Sequence, residues 1–454
     1  MKKNFPFFIL IVLAFLTRFL FLAYPPEVVF DEVHFGKFVS AYSSGQYYFD
    51  IHPPLGKLLI AGFYGIFGGN LNFDFNNIGE AFNAHSLFLL RFLPALFSSL
   101  LVVLVYKLIL AIGLSRKSAF FGASLIILEN SILVESKFIL TDIFLIFFGL
   151  LSLYLFILAK KNQKGRNLLF ALAGISAGLS FSVKWTGLLY LGIILFYSFI
   201  ELMKNFAMKA FFKKALFFGL IPLLVYSFVF FVHFQMLPKS GPGDAFMSPA
   251  FQQSLVKNEM NGDAIKPYPF YKKLWELNRT MYSASAGLKA THPNSSYFYQ
   301  WPFMQESIWY WNKKDSWATG NIYLFGNPII WLLVLSSVLL GIILFFNDRF
   351  SRNASPFLNM FIFGFFLNLL PYLFITRVTF LYHYLPSLVF GILIAAILFE
   401  KIPAILKMKF VSEIQYWVLG LALISFLIFS PLTYGFLLSE KINSYYQKVI
   451  GIVN

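Results

Sequence analysis

Apolar runs of about 20 residues recur along almost the whole chain, each long enough to cross a hydrocarbon core of roughly 30 Å. Such a chain has few structural choices. Inside lipid every backbone N–H and C=O must pair within its own segment, so the runs fold as spanning helices. They lie near 5–24, 86–113, 117–134, 138–159, 167–183, 186–203, 212–234, 326–346, 357–375, 380–399 and 414–438, about eleven in all. The 454 residues are 59% hydrophobic and only 12% charged, which excludes a soluble globular domain. Cysteine is absent, so disulfides, thiolate metal sites and a cysteine nucleophile are excluded as well. The expectation is an all-α integral membrane protein, with residues 1–454 forming a single polytopic membrane domain.

A net charge of +16 would suggest a nucleic-acid partner in a soluble protein. Here the distribution argues for no nucleic acid. Lys2 and Lys3 precede the first run, and Arg116 and Lys117 follow the second. Lys160, Lys161, Lys164 and Arg166 follow the fourth; Lys204, Lys209, Lys213 and Lys214 follow the sixth. Arg349 and Arg352 follow the eighth, and Lys401, Lys407 and Lys409 the tenth. The positive-inside rule then puts the N-terminus in the cytoplasm and the C-terminus outside. Most of the charge is a topology signal whose partner is the lipid bilayer. The first run is read as a retained span rather than a secretory signal, because no small-x-small site precedes Tyr24-Pro25-Pro26.

Two long connections fall outside under this topology, residues 25–85 and 235–325, followed by C-terminal spans over 326–438. Phe35, Phe38, Val39 and Tyr42 have the spacing of a helix with one apolar face, and Pro53-Pro54 open a second apolar helix near 55–67. Both are too short to span comfortably and are expected at the interface. The second connection is polar and rich in Trp and Tyr, as expected of a cap at headgroup level. The first also holds Asp31-Glu32, His34, Lys37, His52 and Lys57. Charged groups beside a bilayer are costly unless they sit in a wet cavity, so this cluster is a site candidate.

Further along, the residues carry a resemblance. FDEVHFGKF (Phe30–Phe38) and YYFDIHPPLGKLL (Tyr47–Leu59) resemble the opening loop of the protein O-mannosyltransferases, GT-C glycosyltransferases that use a polyprenyl-phosphate-linked mannose. Similar segments follow in the family's order: LRFLPALF (Leu90–Phe97), LENSILVESKFILTDIFLIFF (Leu128–Phe148) and SFSVKWTGL (Ser180–Leu188). SGPGDAFMSP (Ser240–Pro249), GNPIIWL (Gly326–Leu332) and RVTFLYHYLPSL (Arg377–Leu388) complete the set. Lys137 stands where the family commonly has arginine, and Glu129 where it often has aspartate; lysine cannot offer arginine's two-pronged contact. Eukaryotic members insert a MIR domain in the second large loop, for which about 90 residues are too few. This favours a bacterial-type enzyme in the cell membrane.

The chemistry such a donor needs is simple. Its lipid phosphate is already a leaving group, so an acceptor hydroxyl must be deprotonated and the departing phosphate neutralised. A carboxylate within about 3 Å of the hydroxyl is the expected base. Asp31 is that base, and the resemblance implies the same; Glu32 supports it by binding acceptor or fixing a nearby base. Arg91, Lys184 and Arg377, with Tyr382 and His383, are the candidates for the donor phosphate and sugar. His34, Lys37, His52, Lys137 and Asp142 are supporting residues. No metal and no obligatory cofactor are expected, since an activated phosphate donor does not require a Lewis acid. The resemblance implies inversion from a β-linked donor to an α-linked product on Ser or Thr of secreted or membrane proteins. Eukaryotic relatives pair, so a dimer is also open.

Plainer readings stand beside each residue. Asp31 and Glu32 are also good helix-cap types; His52 is equally able to brace its turn, and Arg91 to pair with Asp31, Glu32 or Asp142. Asp142 caps a helix, contacts a cation or orients a base. Lys184 is either a snorkelling lysine or a ligand, and Arg377 either an aromatic-belt anchor or a phosphate contact. At the level of the whole protein two rivals remain: a transferase of the aminoarabinose type acting on lipid A or another envelope lipid, and a transporter or flippase. Transporters tend to show repeated halves and polar groups at the midplane, neither of which is visible here.

Overall fold

The structure, a computed structural model, describes residues 5–256, 266–288, 291–346, 356–406 and 411–450. Lys2, Lys3, Arg349, Arg352, Lys407 and Lys409 lie outside the described residues. After α1 (Phe5–Phe19), the first connection folds as α2 (Glu32–Ser44) and α3 (Leu55–Phe67), matching the two short apolar helices expected there. Gly45, at φ 74°, ends α2 in the left-handed conformation that glycine adopts without strain.

The bundle continues through α4 (Ala84–Ala111), α5 (Arg116–Ile127), α6 (Asn130–Ser136), α7 (Asp142–Lys161), α8 (Arg166–Val183) and α9 (Leu188–Lys204). Then α10 (Met208–Ala215) runs through a π-turn into α11 (Ile221–Met236). The second connection contains α12 (Pro249–Gln252) and α13 (Phe270–Ala286), and the C-terminal part contains α14 (Pro328–Phe345), α15 (Pro356–Leu369), α16 (Leu385–Leu406), α17 (Val411–Tyr434) and α18 (Glu440–Val449). Among the described residues nine helices are long and apolar enough to span, or ten if α5 and α6 count as one bent span; α1, at 15 residues, is shorter. The protein is a multi-pass membrane protein.

The run expected as one span over 117–134 is broken, with α5 and α6 meeting at 60°. The break is chemically satisfied on both sides, as buried helix ends must be. Arg18 donates to the freed carbonyls of Ile126 at 2.6 Å and Ile127 at 3.1 Å, while the Asn327 amide donates to Leu128 O at 3.0 Å. On the other side the Glu129 carboxylate accepts from Ser131 N at 3.1 Å, from Ser131 Oγ at 2.7 Å and from the Trp331 indole at 3.1 Å. A buried carboxylate inside an apolar run is what converts one helix into two.

The architecture is not purely helical. Strands β1 (Ile308–Lys314) and β2 (Ala318–Leu324) form an antiparallel hairpin, and β3 (Leu437–Ser439) adds to β2 after the last span, pairing Ala318 with Ser439. This sheet lies over the first connection: the Trp311 indole and Lys313 ammonium donate to the two carboxylate oxygens of Glu27 at 2.8 and 2.9 Å. The second connection is thus a structured clamp as well as an aromatic cap.

Candidate active site

Asp142 opens α7, Lys184 ends α8 and Tyr382-His383 lead into α16, so three helix ends converge at one face of the bundle. Lys160 and Lys161, at the far end of α7, belong to the opposite face. Between these ends lies a cavity of about 340 Å³ lined by His52, Asp142, Lys184, Arg377, Tyr382 and His383. That volume falls near the lower limit of roughly 300–1,000 Å³ for small-molecule sites. Tyr282 and Ser285 of α13 form an outer wall.

The charges in and around the cavity are unevenly committed. Lys184 Nζ donates to Asp142 Oδ2 at 2.6 Å and sits 5.2 Å from the centre of the Tyr382 ring. Arg377 is half-buried and, among the described residues, has no ion-pair partner. His383 Nδ1 is engaged with the Phe380 backbone, and its ring stacks on Trp301 at 5.8 Å and on Tyr382 at 4.4 Å. His52 is held by its own main chain: the buried Lys57 ammonium donates to its carbonyl at 2.9 Å and to the Asp50 carboxylate. Burial, with Lys184 and Lys57 nearby, pushes the His52 imidazole well below its ordinary pKa, favouring the uncharged ring.

Asp31 sits at the N-cap position of α2 without making a side-chain cap bond, so the plain capping reading is not realised. Among the described residues its carboxylate has no hydrogen-bond partner, although it feels His34, Lys184, Asp142 and His292 electrostatically. Burial raises its pKa above the ordinary 3.8, against the lowering pull of His34 and Lys184. The residue before it, Phe30, has φ 46°, a left-handed conformation that costs a non-glycine residue roughly 1–3 kcal/mol and persists only where the surroundings hold it.

Glu32 points away from Asp31 into the bundle. Both its oxygens are filled: Arg91 Nε and Nη2 donate at 2.8 Å each, and the backbone N–H groups of Val29 and Ile139 donate at 2.8 and 3.0 Å. Arg91 spends its remaining donors on the carbonyls of Leu22, Pro25 and Glu27 at 3.3, 3.0 and 3.0 Å. For each residue one of the two readings open in the sequence is realised: Arg91 pairs with Glu32. Arg91 has no N–H left for a donor phosphate, and Glu32 has no free oxygen for an acceptor; together they bind the first connection to α4 and so hold the turn that carries Asp31. Lys137 is likewise occupied, donating to Leu20 O at 2.7 Å and Phe21 O at 3.2 Å, and does not line the cavity. His34 and Lys37 lie exposed on α2. Glu135, Tyr310 and His292 went unremarked in the sequence, since nothing in their local spacing ties them to Asp31.

This assembly defines a class: a multi-pass helical membrane protein of the GT-C fold, with a polar cavity at one face of the bundle. Residues 8–238 match the family described as dolichyl-phosphate-mannose-protein mannosyltransferase, and residues 270–449 match the C-terminal four-span region of protein O-mannosyltransferase. The chain belongs to the dolichyl-phosphate-mannose-protein mannosyltransferase family. It is 38% identical over 260 residues to protein O-mannosyltransferase 1 of Drosophila melanogaster, covering 54% of this chain and 29% of that protein. A second relative, dolichyl-phosphate-mannose–protein mannosyltransferase 1 of Saccharomyces cerevisiae, is 36% identical over 254 residues, covering 53% and 31%. The matches therefore span about a third of the length of these relatives. In fold the chain is similar to the S. cerevisiae protein O-mannosyltransferase Pmt1-Pmt2 complex bound to the sugar donor. The TM-score is 0.90 at 21% identity, covering 98% of this chain and 92% of that one. It is also similar to the Archaeoglobus fulgidus oligosaccharyltransferase, at TM-score 0.57 and 12% identity, covering all of this chain and 60% of that one.

Proposed function

We propose that this protein transfers mannose from polyprenyl-phosphate-mannose to Ser or Thr hydroxyls of proteins outside the cytoplasm. One observation carries the reading: an uncommitted carboxylate, Asp31, lies within electrostatic reach of Lys184 and Asp142, which line a cavity together with the unpaired Arg377. Asp31 takes the proton of the acceptor hydroxyl as its oxygen bonds to the sugar's anomeric carbon. The bond from that carbon to the phosphate oxygen breaks, and the electron pair leaves with the polyprenyl phosphate. Lys184 and Arg377 balance the second negative charge that develops there, and Asp31 later returns its proton to water. A single displacement of this kind inverts the anomeric carbon. It needs no obligatory metal or other cofactor, because the donor is already activated.

The basic helix ends opposite the site support a cytoplasmic N-terminus and an active site on the outer face of the cell membrane. A dimer would parallel the two-subunit yeast fold neighbour. The family match disfavours the lipid-acceptor and transporter readings.

The test is transfer of labelled mannose from polyprenyl-phosphate-mannose to a Ser/Thr-rich secreted peptide in membranes holding the protein. Label should appear on peptide. Label entering only the organic phase would move the protein to a lipid acceptor. The base also predicts a pH dependence. Asp31 must be ionised to work and its pKa is raised, so kcat should fall on acidification with a midpoint above the ordinary 3.8. A rate that is flat down to that pH would remove Asp31 from the role.

A further inference from the structure

Strand β1 contains an irregularity that is chemically placed. Pairing runs from Trp309–Tyr323 directly to Trp311–Ile322, leaving Tyr310 as the extra residue of a bulge. In a regular strand adjacent side chains alternate between faces, yet Tyr310 and Trp311 are both buried. Bulges re-aim side chains in this way, often beside active sites. Trp311 turns to Glu27, and Tyr310 turns to the strained residue before the base.

Tyr310 holds Phe30 twice. Its carbonyl accepts from Phe30 N at 3.2 Å, and the two rings stack at 4.1 Å with 13° between their planes. Its hydroxyl reaches the other way and donates to Glu135 Oε2 at 2.7 Å. The Glu135 carboxyl lies within electrostatic reach of Asp142, and Asp142 pairs with Lys184 at the cavity. Stacking, hydrogen bonds and one electrostatic step between Glu135 and Asp142 thus join the turn that carries Asp31 to Lys184 at the cavity.

From this we infer that Tyr310 is a positioning residue that sets Asp31 and Lys184 in register, acting through Phe30 on one side and through Glu135 and Asp142 on the other. The inference rests on the mannosyltransferase reading for its kinetic consequence but not for its structural one. The two arms of Tyr310 separate by substitution. Tyr310→Phe keeps ring and backbone contacts and loses only the hydroxyl; Tyr310→Leu loses the stacking as well.

The experiment measures donor KM and kcat, together with amide hydrogen exchange, for the parent, both variants and Trp309→Phe, on the exposed side of the same strand. Tyr310→Phe is expected to raise donor KM about 3- to 10-fold with kcat within twofold, because Lys184 loses its buried support while the base keeps its place. Tyr310→Leu should lower kcat at least tenfold in addition. It should also speed exchange of the Phe30 amide and its immediate neighbours without altering the helices. Trp309→Phe should match the parent. Equal losses in both Tyr310 variants that follow the amount of folded protein would overturn the inference, as would parent-like kinetics in Tyr310→Phe. If the parent itself transfers no mannose, the functional reading fails. The exchange measurement still stands: unchanged Phe30 protection in Tyr310→Leu would then reject the positioning role, and lost protection would support it.

Discussion

Asp31→Asn should lower kcat by about 10³-fold while leaving donor binding within a few-fold of the parent. In barrier terms that is about 4 kcal/mol, at 1.36 kcal/mol per factor of ten. The amide matches the carboxylate in shape, and among the described residues the side chain makes no hydrogen bond whose loss would disturb the fold. What disappears is the capacity to accept a proton. Single-turnover transfer with saturating donor and acceptor peptide measures it, and retained binding of polyprenyl phosphate checks that the cavity is intact. A variant with a tenth or more of parental kcat would place the base elsewhere. The adjacent carboxylate, Glu32, has both oxygens occupied by four contacts.

Arg91→Met is expected to act through the fold. Glu32 and Arg91 are both fully buried, and removing one partner of such a pair costs about 3–5 kcal/mol because the other charge is left uncompensated. The carbonyls of Leu22, Pro25 and Glu27 would lose their donor as well. The expected result is a marked drop in thermal midpoint in detergent and in the yield of folded protein, with activity lost in proportion. Arg91→Lys should recover little, since one ammonium cannot reach five acceptors in the arginine's plane. A well-folded Arg91→Met protein with raised donor KM and normal stability would instead restore Arg91 as a phosphate ligand.

The contrast between these neighbours shows where sequence reasoning stops. Asp31 and Glu32 are adjacent, equally acidic and part of one motif; the same reading fits both until the backbone is known. With α2 starting at Glu32, that side chain turns inward to Arg91, while Asp31 remains at the helix entry within electrostatic reach of His34 and Lys184. Arg91, Lys137 and Lys184 each looked like a cation at the outer end of a span. Only Lys184 lines the cavity, because α8 ends there in an extended residue. The broken α5–α6 span was invisible for a similar reason. Glu129 inside an apolar run reads as a minor interruption until Ser131, Asn327 and Trp331 are seen to surround it.

Local pattern was enough for whatever depends on local chemistry. Runs of apolar residues determined the membrane class, since lipid cannot solvate a bare peptide group. Periodicity and proline placed α2 and α3, and the ordered motifs placed the family. The sheet over the first connection was beyond that reach: its three strands come from residues before and after the last four long helices, and a short strand is specified by its partner. The site itself was legible as a set of residue types and illegible as a geometry. Which charges face the cavity and which are sealed into the bundle depends on pairs such as Glu32 with Arg91 and Tyr310 with Glu135, separated by 59 and 175 residues. Those pairs exist only once the helices have packed, because burial is what makes an unpaired charge too costly to leave and so selects its partner.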